Sequence, residues 1–135
     1  MWRKKRNFAP CMYNVLIVAL GGAMGSAARY LVSRALQEHV GQGFPWPTFV
    51  VNVMGCLVLG FLSGLSSRGA LGGSWAKLLL TTGFCGGFTT FSTFCSEGVG
   101  LLRAGQTLAM MAYAGGSVAL GLGAAAFGMW FASRL

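Results

Sequence analysis

Few side chains in this sequence could do chemistry, and most of them lie inside apolar runs. Asn52 is an amide within an uninterrupted apolar segment, and Thr48 four residues earlier shares its helical face. Lipid is a poor neighbour for such a column. The amide either bonds across to another helix, worth about 0.6–2 kcal/mol, or turns its NH2 toward a passing anion. Further along, Gly83-Phe84-Cys85-Gly86-Gly87-Phe88-Thr89-Thr90-Phe91-Ser92-Thr93-Phe94 places phenylalanines three apart among hydroxyls. Spacing alone reads the rings as packing. Their chemistry adds a second reading, because ring edges carry partial positive charge and can stabilise an anion weakly without trapping it.

The same stretch predicts an interrupted helix. Gly83, Gly86 and Gly87 fall at the centre of an apolar segment, directly before Thr89, Thr90, Ser92 and Thr93. Non-helical backbone at mid-membrane is tolerated only where protein buries it or a wet cavity receives it. Carbonyl oxygens freed near Gly86 and Thr89 have the chemistry to hold a cation, although glycines and hydroxyls do not by themselves establish one. Tyr113, Ser117 and Gly121 share a face later in the chain, either for packing or as the continuation of a polar track. Arg29 sits well inside the first apolar run, where it snorkels to the interface or anchors a vestibule that gathers anions. Glu97 is expected to end the broken helix near water, beside a basic group.

Catalysis has little to work with. One histidine, His39, and two carboxylates, Glu38 and Glu97, do not assemble a nucleophile, a base and an orienting acid, so no enzyme is expected. Cys11, Cys56, Cys85 and Cys95 show no CxxC spacing and read as small buried hydrophobes. The basic residues sit mainly at the ends of apolar stretches, so the +8 net charge reads as membrane orientation and contact with lipid headgroups, with no nucleic-acid surface.

With 55% hydrophobic and 9% charged residues, the chain departs from soluble composition, where about a quarter of residues are charged. Apolar runs at residues 13–36, 48–65, 75–101 and 107–131 are each long enough to span a bilayer. The expected architecture is therefore an all-α membrane protein of four spanning helices with the third broken at mid-membrane. Pro45, Trp46 and Pro47 mark the turn and interfacial aromatic that open the second helix. Small residues four apart, Gly21 with Gly25, Gly60 with Gly64, Gly83 with Gly87 and Ser117 with Gly121, argue for a tight bundle that oligomerises.

Four spans put both termini on one side. Seven basic residues (Arg3, Lys4, Lys5, Arg6, Arg68, Lys77 and Arg134) lie there, against three (Arg29, Arg34 and Arg103) on the other, which predicts the N-terminus inside. Without the first four the two sides balance, and a balanced chain can insert both ways. Residues 1–12 are read as a basic tail before a single channel domain at 13–135, with Met12 a candidate true start of translation.

From Met12 onward the sequence resembles the Fluc (CrcB) family of fluoride channels. Gly86 to Phe94, GGFTTFSTF, is similar to the family signature. Gly21 to Tyr30, GGAMGSAARY, is similar to GGxxGAxxRY with Ser26 in place of alanine, and Thr48 with Asn52 to Gly55 resembles GTxxxNxxG with Pro47 in place of its first glycine. The resemblance implies a passive channel in the bacterial plasma (inner) membrane that exports cytoplasmic fluoride and lowers its toxicity. It further implies an antiparallel, dual-topology homodimer with two pores and a structural sodium ion, Na+, held by main-chain oxygens of Gly86 and Thr89. Asn52, Phe91 and Phe94 would contact fluoride, with Ser92, Thr93, Thr48, Tyr113 and Ser117 along the polar track and Arg29 at the vestibule. The basic tail departs from balanced topology and leaves room for a divergent second subunit. The alternative is a proton-coupled small multidrug-type exporter of cationic compounds, which needs an embedded carboxylate.

Overall fold

The computed structural model describes residues 8–135, and all regular structure among them is helical. Helix α1 is Phe8–Gln37 and α2 is Trp46–Ser67. A third span, Ser74–Arg103, divides into α3 (residues 74–88) and α4 (Phe91–Arg103), and α5 is Thr107–Arg134. The four spans run to 30, 22, 30 and 28 residues. At about 1.5 Å per residue even the shortest crosses a hydrocarbon core of about 30 Å. This is a multi-pass membrane protein. Helix α1 begins five residues before its expected start at Tyr13, and the basic residues Arg3 to Arg6 lie outside the described residues.

Apolar side chains point outward along every span. Leu16, Leu31, Leu108 and Leu122 are all exposed, and among the large side chains of the described residues only Tyr113 and Val51 are fully buried. That inversion suits a lipid solvent, in which helices gain nothing by hiding leucine and associate through close backbone packing instead. Helix α1 packs on α3, and α2 packs on α5. In the first pair a Cβ on Gly83 would stand 3.0 Å from Gly21 Cα, and one on Gly21 would meet the backbone of Leu79 and Phe84. In the second pair Gly60 faces the backbone of Ala125, and Gly128 faces that of Leu57 and Phe61. At the end of this second pair the Arg68 guanidinium donates to the carbonyl of Ala132 at 2.9 Å, which ties the end of α2 to the end of α5.

The interruption falls at Thr89 and Thr90, so of the two residues expected to free their carbonyls Thr89 lies in the break and Gly86 just before it. Leu78–Cys85 is wound as a π-helix and Gly86–Phe88 as one further α-turn, so Gly83, Gly86 and Gly87 remain helical. Only Thr89 (φ −81°, ψ 158°) and Thr90 (φ −148°, ψ 112°) are extended. Gly83 and Gly87 serve the approach of α1, where any Cβ would collide with backbone, while the chain turns aside at two β-branched residues that favour extended dihedrals. Thr90 then starts α4, its Oγ1 accepting from the Thr93 amide at 3.3 Å as a helix cap.

Candidate ion-conduction site

The break leaves backbone groups with no helical partner, and Asn52 on α2 takes up two of them. Its Oδ1 accepts from the Thr90 amide at 2.8 Å, and its Nδ2 donates to the Thr90 carbonyl at 3.1 Å. The side chain thus pairs with Thr90 as a neighbouring strand would. One Nδ2 hydrogen remains beyond that pairing, since a carboxamide carries two. Both readings of Asn52 are therefore compatible: it braces the break and still has a donor left. Thr89 Oγ1 donates to the Cys85 carbonyl at 2.9 Å, while the carbonyls of Gly86 and Thr89 receive no hydrogen bond among the described residues.

A second cluster lies at the middle of α4. Glu97 accepts from Thr48 Oγ1 at 2.9 Å and from Tyr113 Oη at 2.8 Å, so one carboxylate joins α2, α4 and α5. The expected role for Glu97 is corrected here. It is mid-helix within Phe91–Arg103, and its partners are two hydroxyls rather than a basic group. Helical spacing carried a signal for it, because Thr90, Thr93 and Glu97 follow the three-and-four rhythm of one face. Thr90 Oγ1 donates to Thr93 Oγ1 at 3.0 Å and stands 3.5 Å from Ser92 Oγ, extending the hydroxyl series along that face.

Aromatic rings flank the series. Phe94 packs on Tyr113 with centroids 4.9 Å apart, and Phe91 stacks on Phe94 at 5.8 Å. Phe44, from the loop before α2, covers the other side of Tyr113 edge-on at 5.5 Å. Phe91 is 77% exposed, so its outer face has no partner within the subunit. Ser117 Oγ is buried with no hydrogen-bond partner among the described residues.

Two cavities open toward the break from opposite ends. One of about 330 Å³ is lined by Ser26, Arg29, Tyr30, Thr93 and Glu97, together with Thr90. Another of about 570 Å³ is lined by Asn52, Ser63, Lys77, Thr81 and Phe91, and again by Thr90. They meet at the residue that Asn52 holds. Of the residues predicted for the site, the fold brings Thr48, Asn52, Thr93, Phe94 and Tyr113 together around Thr90 and Glu97. It sets Arg29 in the smaller cavity, and leaves Phe91 and Ser92 exposed.

Four helices long and apolar enough to span a membrane, one of them interrupted where hydroxyls, an amide and free carbonyls converge, define a multi-pass α-helical membrane protein. The family model described as CrcB-like protein, Camphor Resistance (CrcB), matches residues 16–129, and the chain belongs to that family. The chain is 52% identical over 111 residues to a protein of Chlorobaculum tepidum named fluoride-specific ion channel FluC, covering 82% of this chain and 87% of that one. It is 50% identical over 121 residues to fluoride-specific ion channel FluC 2 of Rhodococcus jostii, covering 90% and 96%. A third relative, fluoride-specific ion channel FluC of Hyphomonas neptunium, is 46% identical over 125 residues, covering 92% and 98%.

Proposed function

We propose that this chain is a subunit of a passive fluoride channel, and that the hydroxyl series beside the braced break is its conduction path. The observation that carries the reading is the Asn52 pairing with Thr90, which keeps two extended residues stable within a membrane span where two cavities meet. No chemical energy is required. An inside-negative potential supplies about 2.3 kcal/mol per charge per 100 mV to expel an anion. The cost lies in removing fluoride's hydration shell, which the path replaces with the spare Asn52 hydrogen, the hydroxyls of Ser92, Thr93 and Ser117, and the ring edges of Phe91 and Phe94.

Thr48 and Tyr113 enter this path through Glu97. Each hydroxyl has a single hydrogen and gives it to the carboxylate, so fluoride arriving there competes with Glu97 for the same two donors. That competition keeps anion binding weak, and conduction needs weak binding. Arg29, in the smaller cavity, gathers anions at one mouth. The exporter alternative finds no support among relatives named for fluoride conduction.

Exposed polar backbone at mid-membrane favours assembly. Gly86, Phe91 and Ser92 lie on the outside of a single subunit, where lipid would leave polar groups unmet, so a second copy packed antiparallel against this face completes the site. The Gly86 and Thr89 carbonyls, free of donors among the described residues, fit a structural sodium ion, which would balance the charge of nearby anions. A divergent second subunit in place of the second copy would satisfy the same surface. The test is fluoride efflux from liposomes loaded with potassium fluoride or potassium chloride after valinomycin addition. Fast fluoride release with chloride retained supports the channel, and equal retention of both ions by the protein, alone and with a co-expressed partner, refutes it.

A further inference from the structure

The larger cavity contains a cation to which neither the sequence motifs nor the path above gives a role. Lys77 lines it, along with hydroxyls of Ser63, Thr81 and Thr82, and among the described residues is the only ionisable group doing so apart from the thiols of Cys56 and Cys85. The lysine belongs to the first turns of α3, at the membrane end where α2 finishes and α5 terminates. Of the other described cations at that end, Arg68 donates to the Ala132 carbonyl and Arg134 lies over the Trp130 ring at 4.9 Å. Neither lines the cavity. Both carboxylates of the chain, Glu38 and Glu97, lie on the opposite half, Glu38 beyond the end of α1 and Glu97 beside Arg29 in the smaller cavity. The two mouths therefore differ in kind. Arg29 and Glu97 both line one, whereas among the described residues Lys77 is the charged side chain lining the other, beside the hydroxyls that lead to Asn52.

We propose that the Lys77 ammonium collects small monovalent anions at this second mouth and so sets the rate at which fluoride reaches Asn52 and Thr90 from that side. The inference rests on the fluoride-channel reading. A unit charge within about 7–10 Å of an ion in water-like surroundings changes its local concentration by about twofold. Screening removes the effect, since the Debye length falls from about 30 Å at 0.01 M to about 3 Å at 1 M ionic strength. A packing role for the lysine stem would show no such salt dependence.

The experiment is initial fluoride efflux from liposomes at about 10 mM and about 1 M ionic strength, set with an impermeant potassium salt, the two conditions being chosen from the screening lengths. At low ionic strength Lys77→Gln lowers efflux about twofold and Lys77→Glu about fourfold, while Lys77→Arg retains the wild-type rate; at high ionic strength all four converge. Arg134→Gln, which removes a cation from the same end but not from the cavity, changes neither rate. Loss of efflux in Lys77→Gln that is equal at both ionic strengths, or no loss at either, overturns the proposal. Absence of fluoride efflux from the wild-type protein overturns instead the channel reading on which it rests.

Discussion

Replacing Asn52 by alanine separates the two uses of this side chain. The substitution removes hydrogen bonds of 2.8 and 3.1 Å and leaves the Thr90 amide and carbonyl without partners at the centre of a span. Each buried group left unsatisfied costs about 1–3 kcal/mol, which sets an upper range of about 2–6 kcal/mol for the pair. Two effects reduce it. Water in the adjoining cavity of about 570 Å³ can bond the exposed groups, and unfolded membrane helices find substitute partners, so that interhelical bonds average about 0.6 kcal/mol. The expected loss for Asn52→Ala is therefore about 1–3 kcal/mol, a factor of about 5 to 150 in the unfolding equilibrium, with fluoride efflux abolished. Asn52→Asp keeps an acceptor for the Thr90 amide but turns an oxygen toward the Thr90 carbonyl, so it should lose efflux as well. Unfolding titration of the reconstituted protein in a denaturing detergent measures the stability, and liposome efflux measures conduction. An Asn52→Ala protein within about 0.5 kcal/mol of wild type would refute the claim that this side chain holds the break together.

Other substitutions probe the surrounding groups. Glu97→Gln replaces one acceptor oxygen by an NH2 that cannot accept from Thr48 or Tyr113, so one hydroxyl is orphaned; efflux should fall at least about tenfold and stability by about 1–3 kcal/mol, and unchanged efflux would remove Glu97 from the path. Ser117→Ala deletes a buried hydroxyl that has no partner among the described residues; unfolding should become harder by about 0.5–2 kcal/mol while efflux declines, a divergence that separates functional from structural polarity. Phe91→Ile changes a ring that is 77% exposed within the subunit; efflux should stop while the helical circular dichroism signal stays at its wild-type value. Gly83→Val should prevent folding, since a Cβ there already meets Gly21 Cα at 3.0 Å; normal yield of a monodisperse protein would contradict the close packing of α1 on α3.

The spans were readable because apolar length is a strong constraint in lipid, and the third span's interruption was readable from Gly83, Gly86 and Gly87. Its position was legible only in part, since Thr89 lies in the break whereas Gly86, expected with it, is still helical. Glycine is both a helix breaker and a permit for close approach, and only the location of α1 shows that Gly83 and Gly87 serve the second purpose. Thr89 and Thr90, which do turn the chain, carry no distinctive signal beyond β-branching. Asn52 announced itself by polarity in an apolar run, but its partner at Thr90 is 38 residues away and follows only from the crossing of α2 over the break. Glu97 was read as a terminal residue because a carboxylate in a span is expensive unless hydroxyls from two other helices meet it, and their convergence is a property of the bundle.

The two-residue interruption also has an electrostatic consequence. A helix concentrates partial negative charge at its last carbonyls and partial positive charge at its first amides, about half an elementary charge at each end. By ending α3 at Phe88 and starting α4 at Phe91, the chain sets opposite poles side by side at the middle of one span. The middle of the span thereby carries, from backbone alone, partial charges of opposite sign separated by two residues. Neither pole titrates, so both persist at any pH at which the bundle stays folded.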